Sequence, residues 1–442
     1  MQIAHGIVQR ANLPIPEWLF AWAAAMVLLV SFVALALLWP DPKLTQYRFR
    51  PLPGPLGRVL GSRALETVCG AIGVALLALV VVAGLTGTES YLNNIAPTFI
   101  FIVFWVGLAF ASALFGNIFA AFSPWRAIGR ATGGLVSRAR GGRPIAHRPY
   151  PERLGRWPAA IGIFGFTWIE LVSEWSEDPR MLAIVVLGYT VVTLAGQAVY
   201  GVETWTRRGE AFAVYFDLFS RIAPFERRDG VVGVRPPLSG LPKLDVVAGT
   251  VAFVLVTIGT VTYDGLSQGQ FWSDLVGSNP SKLVDTLGLA AGVALVSTFY
   301  ALGVAGARSV GGNLDAAALR RGFVHSLVPI ALVYVAAHYL TLLVFEGQSI
   351  AYLASDPLGE GWDLFGTAGA AIDFGAISQN QAWYLQVGFV VLGHVAALML
   401  AHDRALTLYK GSRLAVRSQY WMLAVMVGFT TLALWLLAAP QG

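Results

Sequence analysis

Apolar residues in this chain do not alternate with polar ones over most of its length. They come in long runs, separated by stretches that hold nearly all of the charge. A helix needs about 20 apolar residues to cross roughly 30 Å of hydrocarbon. Ten runs meet or approach that length: 18–39, 67–86, 98–119, 157–172, 181–200, 244–261, 287–305, 322–345, 382–401 and 420–438. The fourth is the shortest and carries Glu170. The pattern predicts an all-α polytopic bundle of about ten transmembrane helices, forming a single domain over residues 1–442.

Loop charge supplies the orientation, because basic residues are held on the cytoplasmic side. With both termini outside, the five inner loops hold 27 of the 30 lysines and arginines, and only Arg10, Arg180 and Lys282 fall elsewhere. The 120–156 loop has eight arginines, whereas 346–373 has five carboxylates and no basic residue. Run 18–39 is longer than a signal-peptide core, and basic residues follow it rather than precede it, so it is expected to be a retained anchor. Composition agrees: 56% of residues are hydrophobic and 12% charged, against about 25% charged in soluble proteins. A net charge of +5 confined to loops is a topology signal and not a nucleic-acid patch. The lone cysteine, Cys69, excludes an internal disulfide framework and a cysteine zinc site.

Three loops stand out. The basic cytoplasmic loop 120–156 opens with Ser123-Pro124-Trp125-Arg126 and carries two Gly-Gly pairs, and is expected to face anionic lipid headgroups. Loop 201–243 contains Phe212, Tyr215, Phe216, Phe219 and Ile222 at helical spacing. That spacing predicts an amphipathic helix lying in the membrane interface, with a re-entrant segment as the alternative. The acidic outer loop 346–381 has glycines and Pro357 between Asp356, Glu360 and Asp363, which predicts turns and leaves open a cap or a lid.

Ionisable groups inside lipid are costly, so each one in a span is a candidate for function. Four of the six histidines lie in the eighth and ninth runs: His325, His338, His394 and His402. Separations of 13 and 8 residues put the histidine levels about 20 Å apart on one helix and about 12 Å on the other, which argues against a stacked pair of bis-histidine haems. His325 and His402 are expected to cap helix ends beside Arg320, Arg321 and Arg404. His338 and His394, with Glu346 and with His5 on the outer N-terminal segment, are the candidate ligands for zinc, copper or another divalent ion. Such an ion could activate a water for hydrolysis; hydrogen bonding between helices is the simpler reading of the same histidines. Glu170 and Glu174 are expected one helical turn apart on one face, as a proton carrier, general base or additional ligand. No deep ionisable group is expected in the sixth, seventh and tenth spans.

The GxxxxGK[ST] loop, the GxSxG elbow, the HExxH helix and CxxC are absent, which argues against ATP-driven transport and serine hydrolysis in their common formats. Several segments together resemble a bacterial, often actinobacterial, membrane protein family labelled fenitrothion hydrolase. They are His5-Gly6 with Leu13-Pro14-Ile15-Pro16, Ser123 to Arg126, Ala337-His338-Tyr339 leading to Gly347-Gln348, Asp356-Pro357 with Gly361 to Gly366, and Gly393-His394-Val395 through His402-Asp403-Arg404. The resemblance implies hydrolysis of an organophosphate triester. The expectation is then a multi-pass plasma-membrane protein with an outward-opening histidine and carboxylate site. Metal-assisted phosphotriester hydrolysis leads, with an ion or proton-coupled small-molecule transporter and a non-catalytic membrane scaffold as alternatives.

Overall fold

The computed structural model describes residues 17–311 and 314–438. Its longer helices in chain order are α1 (Glu17–Leu38), α2 (Arg63–Thr86), α3 (Ile95–Phe115), α4 (Pro124–Ala139), α5 (Trp157–Leu171), α6 (Pro179–Tyr200), α7 (Ala211–Ser220), α8 (Thr250–Ser267), α9 (Lys282–Ser309), α10 (Ala316–His338), α11 (Leu340–Ser355), α12 (Gln379–Leu408) and α13 (Ser412–Ala438). Among the described residues nine are long and apolar enough to cross a membrane; α5, at 15 residues, is a shorter apolar helix. The chain is an all-α polytopic membrane bundle.

Short polar side chains start these helices by taking the free N–H groups of the first turn. Ser62, Asn94, Ser123, Ser281 and Asp315 do so for α2, α3, α4, α9 and α10. Asp178 accepts from Arg180 N and Met181 N ahead of Pro179 in α6. Ser378 and Gln381 form a reciprocal capping box on α12. Large apolar side chains such as Leu37, Ile161, Val191 and Leu392 point outward, as lipid-facing positions should.

Contacts between loops gather the basic segments on one face. Arg126 bridges Glu66 and Glu203 at 2.6 and 2.9 Å, Arg130 repeats both contacts, and Arg227 reaches Glu66. A small antiparallel sheet, β1 (Arg50–Pro51), β3 (Val231–Val234) and β2 (Phe225–Arg228) in that spatial order, ties the first inner loop to the third. Asp403 accepts from Lys43 N, Leu44 N and Trp39 Nε1, and Arg404 Nε donates to Gly322 O. At the opposite face Phe20 packs on Trp383, so α1 starts where α12 starts, and Phe271 packs on Trp435 near the end of α13.

Four expectations need correction. The sixth span is not 244–261 but Thr250–Ser267: Gly249, at φ +76°, turns the chain into the helix, and Thr262, Tyr263 and Asp264 are buried inside it. The eighth span is not one helix over 322–345. It breaks at Tyr339, and α11 then runs antiparallel to α3, with Leu343 beside Gly107, Gly347 beside Ile102, and Ile95 N donating to Pro357 O. Gly107 is 12 residues into α3, so the break lies about 18 Å inside its outer end. Third, α7 does not lie at the interface: every residue except Asp217 is buried. The chain turns back at Gly201, stacks Trp205 on Tyr200, and re-enters the bundle to where Tyr189, midway along α6, meets Glu210 at the start of α7. Re-entrant backbone is tolerated at depth when protein surrounds it. Fourth, residues 346–355 of the outer loop belong to helix α11.

Candidate functional site

Helices α5 and α8 start side by side, with Arg156 N donating to Ala248 O at 2.7 Å and Gly249 against Trp157. Glu170 lies 13 residues beyond Trp157 and Asp264 14 beyond Thr250, so each has risen about 20 Å and they meet at one level. Both are buried, Asp264 completely.

At that level the break between α10 and α11 delivers His338 and Tyr339. The Tyr339 hydroxyl donates to Asp264 Oδ2 at 2.7 Å, and His338 Nε2 lies 2.8 Å from the same oxygen. Gln268, one turn along α8, reaches Oδ1 at 3.4 Å. Glu170 interacts with both Asp264 and Tyr339. Its Oε2 is buried without a partner among the described residues.

The re-entrant α7 closes the inner side. Tyr215, fully buried, interacts with Glu170 and stacks on Trp105 at 4.3 Å and 16°. Trp105 belongs to a ten-residue stretch of α3, Thr98–Gly107, wound in the wider π register, a distortion frequent at functional sites when it occurs as a single turn. Two interrupted elements, the α10/α11 break and the α7 hairpin, thus converge on one buried polar cluster.

The other sequence candidates fall elsewhere. Glu174 is not on the Glu170 face: α5 ends at Leu171, Ser173 starts a separate turn, and Glu174 is exposed and paired with Lys282 at 3.0 Å. Glu346 is half-buried in α11 near Tyr91 and Tyr352. His394 is buried between α10 and α13, beside Tyr334 and Phe429. His325 contacts Gly322 O, while His402 is held by Gln419 and Trp39 O. His5 lies outside the described residues. Among the described residues no three histidine, cysteine, aspartate or glutamate side chains group closely enough to hold a metal. Of the expected zinc or copper ligands, His338, His394 and Glu346 do not come together among the described residues. Asp264 was missed because the apolar run was cut at Val261; the signal was its position three residues on from Val261 and seven from Thr257, on one face of a continuing helix.

A second feature adjoins this cluster. An apolar cavity of about 700 Å³ lies among α2, α3, α5, α6 and α7, lined by Phe101, Phe166, Ile169 and Phe212 among others. No protein-family model, no curated protein and no solved structure matches this chain.

Proposed function

We propose that this protein moves protons across the plasma membrane, coupled to a small ion or solute, with Glu170, Asp264, His338 and Tyr339 as the proton-exchanging site. The observation that carries the reading is the Asp264 carboxylate, buried in the membrane interior and shared by His338 and Tyr339 at a helix break, with Glu170 beside it. Four titratable groups in one enclosed cluster can take up or release a proton with small side-chain movements. Each such change alters the charge that the surrounding helices must accommodate. Interrupted helices suit this task, since the backbone at the break can rearrange while the flanking segments stay packed. Basic loops facing anionic cytoplasmic lipids would hold the bundle in its orientation.

Hydrolysis of an organophosphate triester rests on the family resemblance alone. Its metal ligands do not come together among the described residues.

Purified protein in vesicles containing a pH-sensitive dye tests the proposal. A membrane potential is imposed in the presence of divalent ions or small organic solutes. Proton entry above that of protein-free vesicles is expected in at least one condition, and Glu170→Gln or Asp264→Asn should abolish it. Wild-type entry no faster than empty vesicles throughout, or entry unchanged by both substitutions, would remove the proposal.

A further inference from the structure

One helical turn from the cluster, towards the basic face, two polar atoms are stranded. His394 Nδ1 lies 2.7 Å from Val390 O. A carbonyl oxygen only accepts, so Nδ1 carries the hydrogen in the neutral ring and Nε2 presents a bare lone pair. That Nε2 is buried and has no partner among the described residues, and the residue itself is 0% exposed. On the facing helix the hydroxyl of Tyr334 is equally buried and also lacks a partner among them. The two rings are 6.5 Å apart, centre to centre, and both pack on Phe429. One atom is an acceptor without a donor, the other a donor without an acceptor.

We infer that a water molecule bridges Tyr334 and His394, and that the pair relays protons between the Asp264–His338 cluster and the basic face. This rests on the proton-coupled reading above. An unsatisfied polar group inside lipid is costly, and a buried water needs at least two polar partners, which these atoms supply with complementary roles. Tyr334 precedes His338 by four residues and so shares its face of α10. His394 precedes His402 by eight, about 12 Å along α12, and His402 is already bonded to Trp39 O and Gln419 at the basic end. In the relay step a proton leaving the cluster is taken up at the Tyr334 oxygen as the Tyr334 hydroxyl proton passes to the water and a water proton passes to His394 Nε2. At each oxygen one O–H bond forms and one breaks, one N–H bond forms at Nε2, and the cluster is left one proton poorer. Release of that proton from the imidazolium towards the basic face restores the neutral ring.

Two measurements test it. A density map of the full-length protein that resolves ordered water should show one between Tyr334 Oη and His394 Nε2. In the vesicle assay, under the condition giving the largest wild-type flux, Tyr334→Phe and His394→Leu should each slow proton entry on the order of a hundredfold. A dry gap between the two side chains overturns the relay, whatever the variants do. Full-rate flux in both variants, with Glu170→Gln inactive, overturns the relay and leaves the cluster's role intact. A wild-type protein that moves no protons removes the cluster's role and the relay together.

Discussion

At the scale of single residues, the cluster divides into groups that hold structure and a group that does not. Asp264 Oδ2 serves both Tyr339 and His338, so Tyr339→Phe removes one bond from a buried carboxylate. It should cost about 1 kcal/mol, seen as a lower thermal midpoint in detergent. Asp264→Ala removes the carboxylate that Tyr339 and His338 share and should cost about 3 kcal/mol or more. Glu170→Gln is the contrasting case, because Glu170 Oε2 has no partner among the described residues to lose. It should leave the thermal midpoint equal or higher while stopping proton flux; a midpoint that falls as far as for Asp264→Ala would show Glu170 to be structural. Glu170 and His338 were legible in the sequence as ionisable groups inside apolar runs. Asp264 was not, since a carboxylate after a run reads as its end until the helix register is known.

At the scale of elements, the site depends on how closely α8 approaches α9. A Cβ at Gly259 would lie 2.4 Å from the Val293 backbone, and one at Gly292 would meet Gly259 O at 2.6 Å, so neither helix can give way cheaply. Small residues at such crossings let helix backbones approach in lipid. Gly259→Val should destabilise the bundle by about 1–3 kcal/mol and, by displacing Asp264, slow flux as well. Normal flux at unchanged stability would separate the crossing from the site. The re-entrant α7 was legible only as a helix. Its apolar face and its depth look alike in sequence whether lipid or protein covers it, and burial on all sides was decided by α3, α5, α6 and α10 packing around it.

Across the whole molecule, the basic face is also an ionic seam joining three loops. Burial pushes the Glu203 pKa up, but Arg126 and Arg130 outweigh it and hold the group below its ordinary value. A carboxylate with a depressed folded-state pKa stabilises above its unfolded value and loses that contribution as pH falls through the folded one. Hydrogen exchange across 201–210 should therefore rise on acidification below about pH 4, and Glu203→Gln should flatten that response. Orientation is tested by cysteine labelling in a Cys69→Ala background. Glu360→Cys should react with an impermeant reagent on intact cells, and Arg140→Cys only after permeabilisation. The reverse pattern would invert the arrangement.

By itself the sequence determined that the chain crosses a membrane many times and which of its loops gather together. Both follow from water and lipid, which sort apolar runs and basic loops without regard to what packs against what. The meeting of Glu170, Asp264, His338 and Tyr339 was decided only in three dimensions. It depends on the register of α8 relative to α5, on the break after His338, and on a hairpin folding back into the bundle. Each of these is set by contacts between segments distant in the chain, and the hydropathy of any one segment carries no record of them.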